Sequence, residues 1–240
     1  MKGIFLVIGV IIIPLMSVVG QSNNVSLGIF FQPGISYQFT SYKDQDTKDL
    51  LEDLHKGETP NIGWEGGILV NYHMSDYIHF ESGITLSKKG FRKVSYYDSL
   101  IFREPEYPIY SGIEKSISNH EFYFLSSSLR AGFTVYQTRN FAAGVLTGII
   151  FDYHLISTIR YERIYKDHTE NAVEHPEYAY LRKFNISGSF SLYAKYRFSD
   201  QYHIALEPYC SINILPSFKD SQAESRFLLC GVRASLFYYF

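Results

Sequence analysis

Three histidines and two glutamates are the first residues whose types and spacing suggest chemistry. His73 and His79 flank the Ser75-Asp76 pair symmetrically, and His203, Glu81 and Glu207 share their side-chain parity in alternating segments. Imidazole and carboxylate converging at one level can bind zinc-class metals. The spacing matches no established ligand motif, however, and a histidine in a polar interior is commonly only hydrogen-bonded. The expectation is no metal and no other cofactor, with His73, His79 and His203 as the cluster to inspect.

Acid–base chemistry has two candidate pairs, His154 with Asp152 and His120 with Glu121. Gly-x-Ser-x-Gly, His-Glu-x-x-His and phosphate-binding glycine loops are all missing from the sequence. No enzyme is therefore expected. The alternative would be a lipid-modifying enzyme with one of these pairs near a membrane-facing rim.

The elements that must carry these residues read as strands. Eight segments alternate at period two with one apolar face. They run Val25–Phe39, Ile62–Met74, Tyr77–Lys88, Glu121–Gln137, Phe141–Leu155, Phe184–Phe198, Tyr202–Leu215 and Arg226–Phe240. Tight turns at Ser75-Asp76, Thr138–Asn140 and Ser199–Gln201 alternate with long polar connections over 40–61, 89–120 and 156–183 and a shorter one over 216–225. Short turns at one end and long loops at the other are expected of an all-β, eight-stranded antiparallel up-and-down transmembrane barrel, with short periplasmic turns and long extracellular loops. A soluble eight-stranded barrel would show the same alternation with its apolar face inward.

The final segment shows the pattern most plainly. Cys230, Val232, Ala234, Leu236, Tyr238 and Phe240 fall on one face, and Gly231, Arg233, Ser235, Phe237 and Tyr239 on the other. Leu236, Tyr238 and Phe240 are expected to face lipid and to serve as a terminal assembly signal for the barrel-assembly machinery. The polar faces bring Glu65, Glu81, Arg130, Lys195, Arg197, Glu207 and Arg233 inward, with His73, His79, Asp152 and His203. Eight strands enclose room for side chains or one small ligand, so a plugged polar lumen is expected; a narrow solute or proton channel is the alternative. Pro33 and Pro208 remove ladder donors inside strands and should mark bulges or local breaks. Leu50, Leu51, Leu54 and Gly57 suggest a short helix in the first long loop. Cys210 and Cys230 share outward parity on adjacent strands, and whether they are bridged stays open.

Composition bounds the remainder. Lys2 followed by apolar residues from Ile4 to Leu15 and small residues before Gln21 reads as a signal peptide over 1–20, leaving 21–240 as the barrel domain. Aromatics make up 17% of the residues, an excess that suits interfacial girdles. Twenty-two basic against 24 acidic residues give a net charge of −2, with no footprint for nucleic acid. The tyrosines of the long loops, among them Tyr96, Tyr97, Tyr107, Tyr110, Tyr161, Tyr165, Tyr178 and Tyr180, suit contact with a protein or glycan partner. The alternative is that long strands continue above the membrane with tyrosine packed between them. Outer-membrane lipid is the other expected partner.

The chain resembles the PorT-like small outer-membrane β-barrel family over residues 21–240. The resemblance is carried by Leu27-Gly28 with Pro33-Gly34-Ile35, by the hairpin from Gly66-Gly67-Ile68 through Met74-Ser75-Asp76-Tyr77 and Phe80-Glu81-Ser82-Gly83 to Ser87-Lys88-Lys89-Gly90, and by the aromatic end. Phe122-Tyr123-Phe124-Leu125 stands where the family usually opens its fourth strand with leucine-glutamate-isoleucine-proline. The resemblance implies location in the outer membrane of a Gram-negative-type cell and, from the family's namesake, a role accessory to protein secretion.

Overall fold

The structure is a computed structural model, described for residues 24–42, 45, 48, 57–96, 113–178, 181–218 and 223–240. The signal-peptide expectation lies outside these residues, as do Tyr97, Tyr107, Tyr110 and Tyr180. Nine strands are described: β1 (Val25–Tyr42), β2 (Glu58–His73), β3 (Ile78–Tyr96), β4 (Ile113–Gln137), β5 (Phe141–Tyr165), β6 (Thr169–Glu174), β7 (Phe184–Arg197), β8 (Tyr202–Asn213) and β9 (Ala223–Tyr239). Every pairing is antiparallel. Eight strands follow one another around a ring, and β1 closes it against β9 from Ser26↔Tyr239 to Tyr42↔Ala223. β6 stands outside the ring and pairs with β5 over Ile159–Ile164.

Burial decides which face is inside. On β7, Phe184, Phe190, Leu192 and Tyr196 are each about half exposed, whereas Asn185, Ser187, Ser189 and Ser191 are buried. The same inversion runs through β1 and β8. An exposed Leu or Phe forgoes about 2 kcal/mol of burial. Side chains of this kind cover the outward faces of neighbouring strands, a contiguous apolar surface that soluble monomers rarely expose. This outer surface is stable only in an apolar solvent, and the polarity is that of a membrane-spanning barrel rather than a soluble one.

Strand length fixes where the barrel leaves the membrane. β4 and β5 each hold 25 residues, against the roughly 9–11 that a tilted strand needs to cross a bilayer. The turns after β2, β4 and β7 are short, so the excess projects at the long-loop end. Both strands extend beyond the expected Glu121–Gln137 and Phe141–Leu155. Their added stretches, from Ile113 to His120 and from Ile156 to Tyr165, lack one apolar face, and a bulge at Leu155 shifts the register between Tyr123 and Phe124. Tyr161 and Tyr165 lie on the β5 extension, and Tyr96 ends β3, which likewise runs beyond its expected end at Lys88 and pairs with the β4 extension at Lys115.

Other boundaries move by a few residues. β2 begins at Glu58 with a bulge between Pro60 and Trp64, β8 ends at Asn213, and β9 begins at Ala223. Pro33 interrupts the β1–β9 ladder and Pro208 the β7–β8 ladder, each as a gap without a shift of register. Each proline keeps its pairing on the other side, Pro33 with Trp64 and Pro208 with Val232. These are local breaks, not bulges. Most of the expected loop helix lies outside the described residues. Gly57, its expected end, has φ 83°, and its carbonyl accepts from Val94 N at 3.0 Å. That left-handed backbone suits glycine.

Cys210 and Cys230 are directly opposed on β8 and β9 and form a disulfide on the outer face.

Candidate functional site: a layered plug in the lumen

The inward face of β9 samples each layer of the lumen. From the long-loop end it presents Phe227, Leu229, Arg233, Phe237 and Tyr239, all buried or half-buried. Period two in a strand makes one sequence read the whole axis.

At the long-loop end, Phe91, Phe122, Phe124, Leu181 and Phe227 form a buried cluster with Tyr178 and Phe218 packed on it. Phe122 is its hub, with ring centroids 5.0 Å from Phe227, 5.6 Å from Tyr178 and 6.0 Å from Phe218. The connections after β6 and β8 reach over the mouth and meet at the Leu181↔Phe218 bridge. Burial, with Tyr161 and Glu174 nearby, pushes the Tyr178 phenol up to about 12, and its hydroxyl is 3.2 Å from His120 Nδ1.

Beneath the cap, Lys89 Nζ donates to Asp152 at 2.9 Å, and Ser126 and Ser187 donate to the same carboxylate at 2.5 and 2.6 Å. Lys89 was missed in the sequence because the third segment was expected to stop at Lys88; one further period-two step would have included it.

The central layer holds two guanidinium and three carboxylate groups. Arg130 donates to Glu81 through Nε at 2.8 Å and through Nη2, and to Glu207 through Nη1 at 3.2 Å. Arg233 donates to Gln32 at 3.2 Å and Glu65 at 3.4 Å, and lies 3.6 Å from Glu81 and 3.9 Å from Glu207. Register explains the convergence, since Gln32↔Glu65, Glu81↔Arg130 and Glu207↔Arg233 are direct cross-strand partners. The Arg233 guanidinium also lies 4.2 Å from the Phe30 ring centroid and 4.5 Å from that of Tyr209. Buried ions are tolerated because each has partners within hydrogen-bond reach. Phe30, Leu69, Ala205 and Phe237 form an apolar floor.

Lys195 and Arg197 stand apart from the ionic layer. Lys195 Nζ contacts Tyr239 Oη at 3.3 Å, and Arg197 turns to Asp200 at the exposed turn with Nη2 to Oδ1 2.5 Å. His73 and His79 are cross-strand partners with rings stacked at 5.3 Å. The Tyr239 ring intervenes before His203, with centroids 5.6 Å from His73 and 4.0 Å from His203. Among the described residues no group of three His, Cys, Asp or Glu side chains is arranged to hold a metal. Gly132 makes the His79 position possible, because a Cβ there would fall on the imidazole.

Neither acid–base pair is joined. His154 Nε2 is hydrogen-bonded to Ser157 at 2.9 Å while Asp152 serves Lys89. His120 stacks on Phe91 at 4.5 Å, and Glu121 pairs with Lys88 and Arg160 at 3.1 Å each.

Neither a family model nor a curated protein sequence matches the chain. Solved outer-membrane barrels do. Neisserial surface protein A aligns at 10% identity over 91% of this chain and 98% of its own, with TM-score 0.39. The N-terminal barrel domain of Pseudomonas aeruginosa OprF gives 10%, 92%, 100% and 0.36 on the same measures. The outer membrane protease OmpT from Escherichia coli gives 10%, 90%, 97% and 0.40. The fold assignment rests on the closed ladder and the inverted burial.

Proposed function

We propose that this protein is a non-enzymatic outer-membrane β-barrel that works at its long-loop end, by contact with a protein or glycan partner. The closed lumen carries this reading. A cap, a Lys89–Asp152 pair, a five-ion layer and an apolar floor follow one another along the axis. A solute would have to disrupt all four, which argues against the channel alternative. The unjoined His154 and His120 pairs argue against a lipid-modifying enzyme.

The long-loop end offers surface instead. Among the described residues β6 has β5 as its neighbour on one side alone, with Val173 58% exposed. A strand edge of this kind can accept a strand from another chain. Short turns at the opposite end support a periplasmic location for that end. The outward Leu236 and Phe240, with Tyr238 between them, support recognition by the barrel-assembly machinery and contact with outer-membrane lipid. The PorT-like resemblance supports, more narrowly, an accessory role in protein secretion.

Photo-crosslinking from position 173 in native membranes tests the reading. A discrete crosslinked species that disappears when the 166–172 segment is trimmed is expected. Crosslinks to lipid alone, equal before and after trimming, would contradict it.

A further inference from the structure

The short-turn end of the lumen holds a vestibule of about 310 Å³. Its wall carries Lys195, Arg197, His73, His79, His203 and Tyr239. The carboxylate among its lining residues is Asp76, on the exposed turn between β2 and β3. Arg197 has its own partner in Asp200. Lys195 does not. It is 9% exposed, yet among the described residues no carboxylate lies within salt-bridge distance of its ammonium. Its surroundings are the Tyr239 hydroxyl at 3.3 Å and the rings of Phe237 and Tyr193 at 5.0 and 5.9 Å. His203 Nε2 is buried there without a hydrogen-bond partner.

The buried cations of the layers above are paired. Lys89, Arg130 and Arg233 each have a carboxylate in contact. A buried ammonium without one is costly, and a buried ring nitrogen without a hydrogen-bond partner is too. Both residues line the same solvent-connected cavity. An oxyanion seated there would remedy both defects together. Lys195 would supply charge, and the imidazoles and the Tyr239 hydroxyl directional hydrogen bonds. The volume admits a small molecule, and the aromatic walls suit one with an apolar part.

We propose that the vestibule binds a small anion through a phosphate or carboxylate group, with Lys195 as the principal contact and His203 as a second donor. This site lies at the opposite end from the partner-binding surface and does not depend on it.

The test is a titration of the refolded full barrel in micelles with inorganic phosphate and, separately, acetate, at constant ionic strength against chloride. Imidazole resonances are followed by NMR. Saturating shifts are expected at His73, His79 and His203 and none at His120 and His154, which lie toward the other end. Tighter binding of phosphate or of acetate identifies which oxyanion the site prefers. Lys195→Met should weaken binding by about 10-fold or more, while Lys195→Arg, which keeps the charge, should stay within roughly 3-fold. Shifts that never saturate, that appear equally at all five of these histidines, or that persist unchanged in Lys195→Met would overturn the proposal. If Lys195→Met does not fold, the wild-type titration decides alone: saturation confined to the three vestibule histidines sustains the site, and its absence overturns it.

Discussion

Glu207 and Arg233 face each other directly across the β8–β9 ladder, yet the Arg233 head group lies nearer to Glu65, at 3.4 Å, than to Glu207, at 3.9 Å. The guanidinium leans across the lumen toward β2, while Arg130 reaches Glu207 from β4 at 3.2 Å. The ionic layer therefore ties opposite walls together. Removing one cation leaves buried carboxylates without compensation, at a cost of about 3–5 kcal/mol. Arg233→Met should lose stability on that scale in urea unfolding, followed by the fluorescence of Trp64, the one tryptophan in the sequence. Adding Glu65→Gln should recover part of the loss. Additive losses in the double variant would refute the coupling.

The Cys210–Cys230 bridge closes a loop with a sequence separation of 20 between adjacent strands. Cross-linking a loop of this size contributes about 3 kcal/mol by restricting the unfolded chain. Denaturing alkylation without reductant should find no free thiol, and Cys210→Ser with Cys230→Ser should still give a folded barrel of reduced stability. Two reactive thiols in protein taken from the membrane would be inconsistent with the bridge.

Tyr178 predicts how the cap responds to alkali. Its phenol is raised from 10.0 to about 12, chiefly by burial. A raised folded value favours the neutral phenol, so its contribution is complete below pH 10 and is lost as pH rises through about 12. A difference titration of tyrosinate absorbance between wild type and Tyr178→Phe should show one group ionising above the bulk of the tyrosines. Ionisation near pH 10 would mean that the cap does not shield it.

Much of this was legible because a barrel strand alternates between two solvents. Phe190 and Ser191 sort by chemistry alone, as do Leu236 and Arg233, and once parity is known the ion-bearing residues share a lumen. The signal fails where the outer solvent is water. Thr169–Glu174 is polar on both faces, and the strand it forms carried no alternation to read. Ile113–His120 was missed for the same reason. Height was also illegible: Lys195 and Arg197 share parity with Arg233, but only the ladder register puts them below the floor, in the vestibule. The bridge stayed open because parity brings two cysteines to one face without fixing that Cys210 opposes Cys230.

The role in assembly proposed for the outward face of β9 gives a separate prediction. Leu236 is 40% and Phe240 51% exposed, at the end of β9 where its pairing with β1 finishes at Ser26↔Tyr239. Deleting Phe240 should lower the amount of folded, heat-modifiable barrel in the membrane several-fold, without altering the stability of molecules that do fold by more than about 1 kcal/mol. Wild-type insertion of the truncated chain would remove any assembly role from this end.

Closure of the lumen is the claim on which the functional reading depends, and single-channel recording in planar bilayers tests it most directly. Purified, refolded protein should insert without discrete conductance steps in concentrated potassium chloride, and Phe122→Ala should remain silent because the ionic layer lies beneath the cap. Stable, reproducible steps from the wild-type barrel would contradict the account and return the protein to the channels.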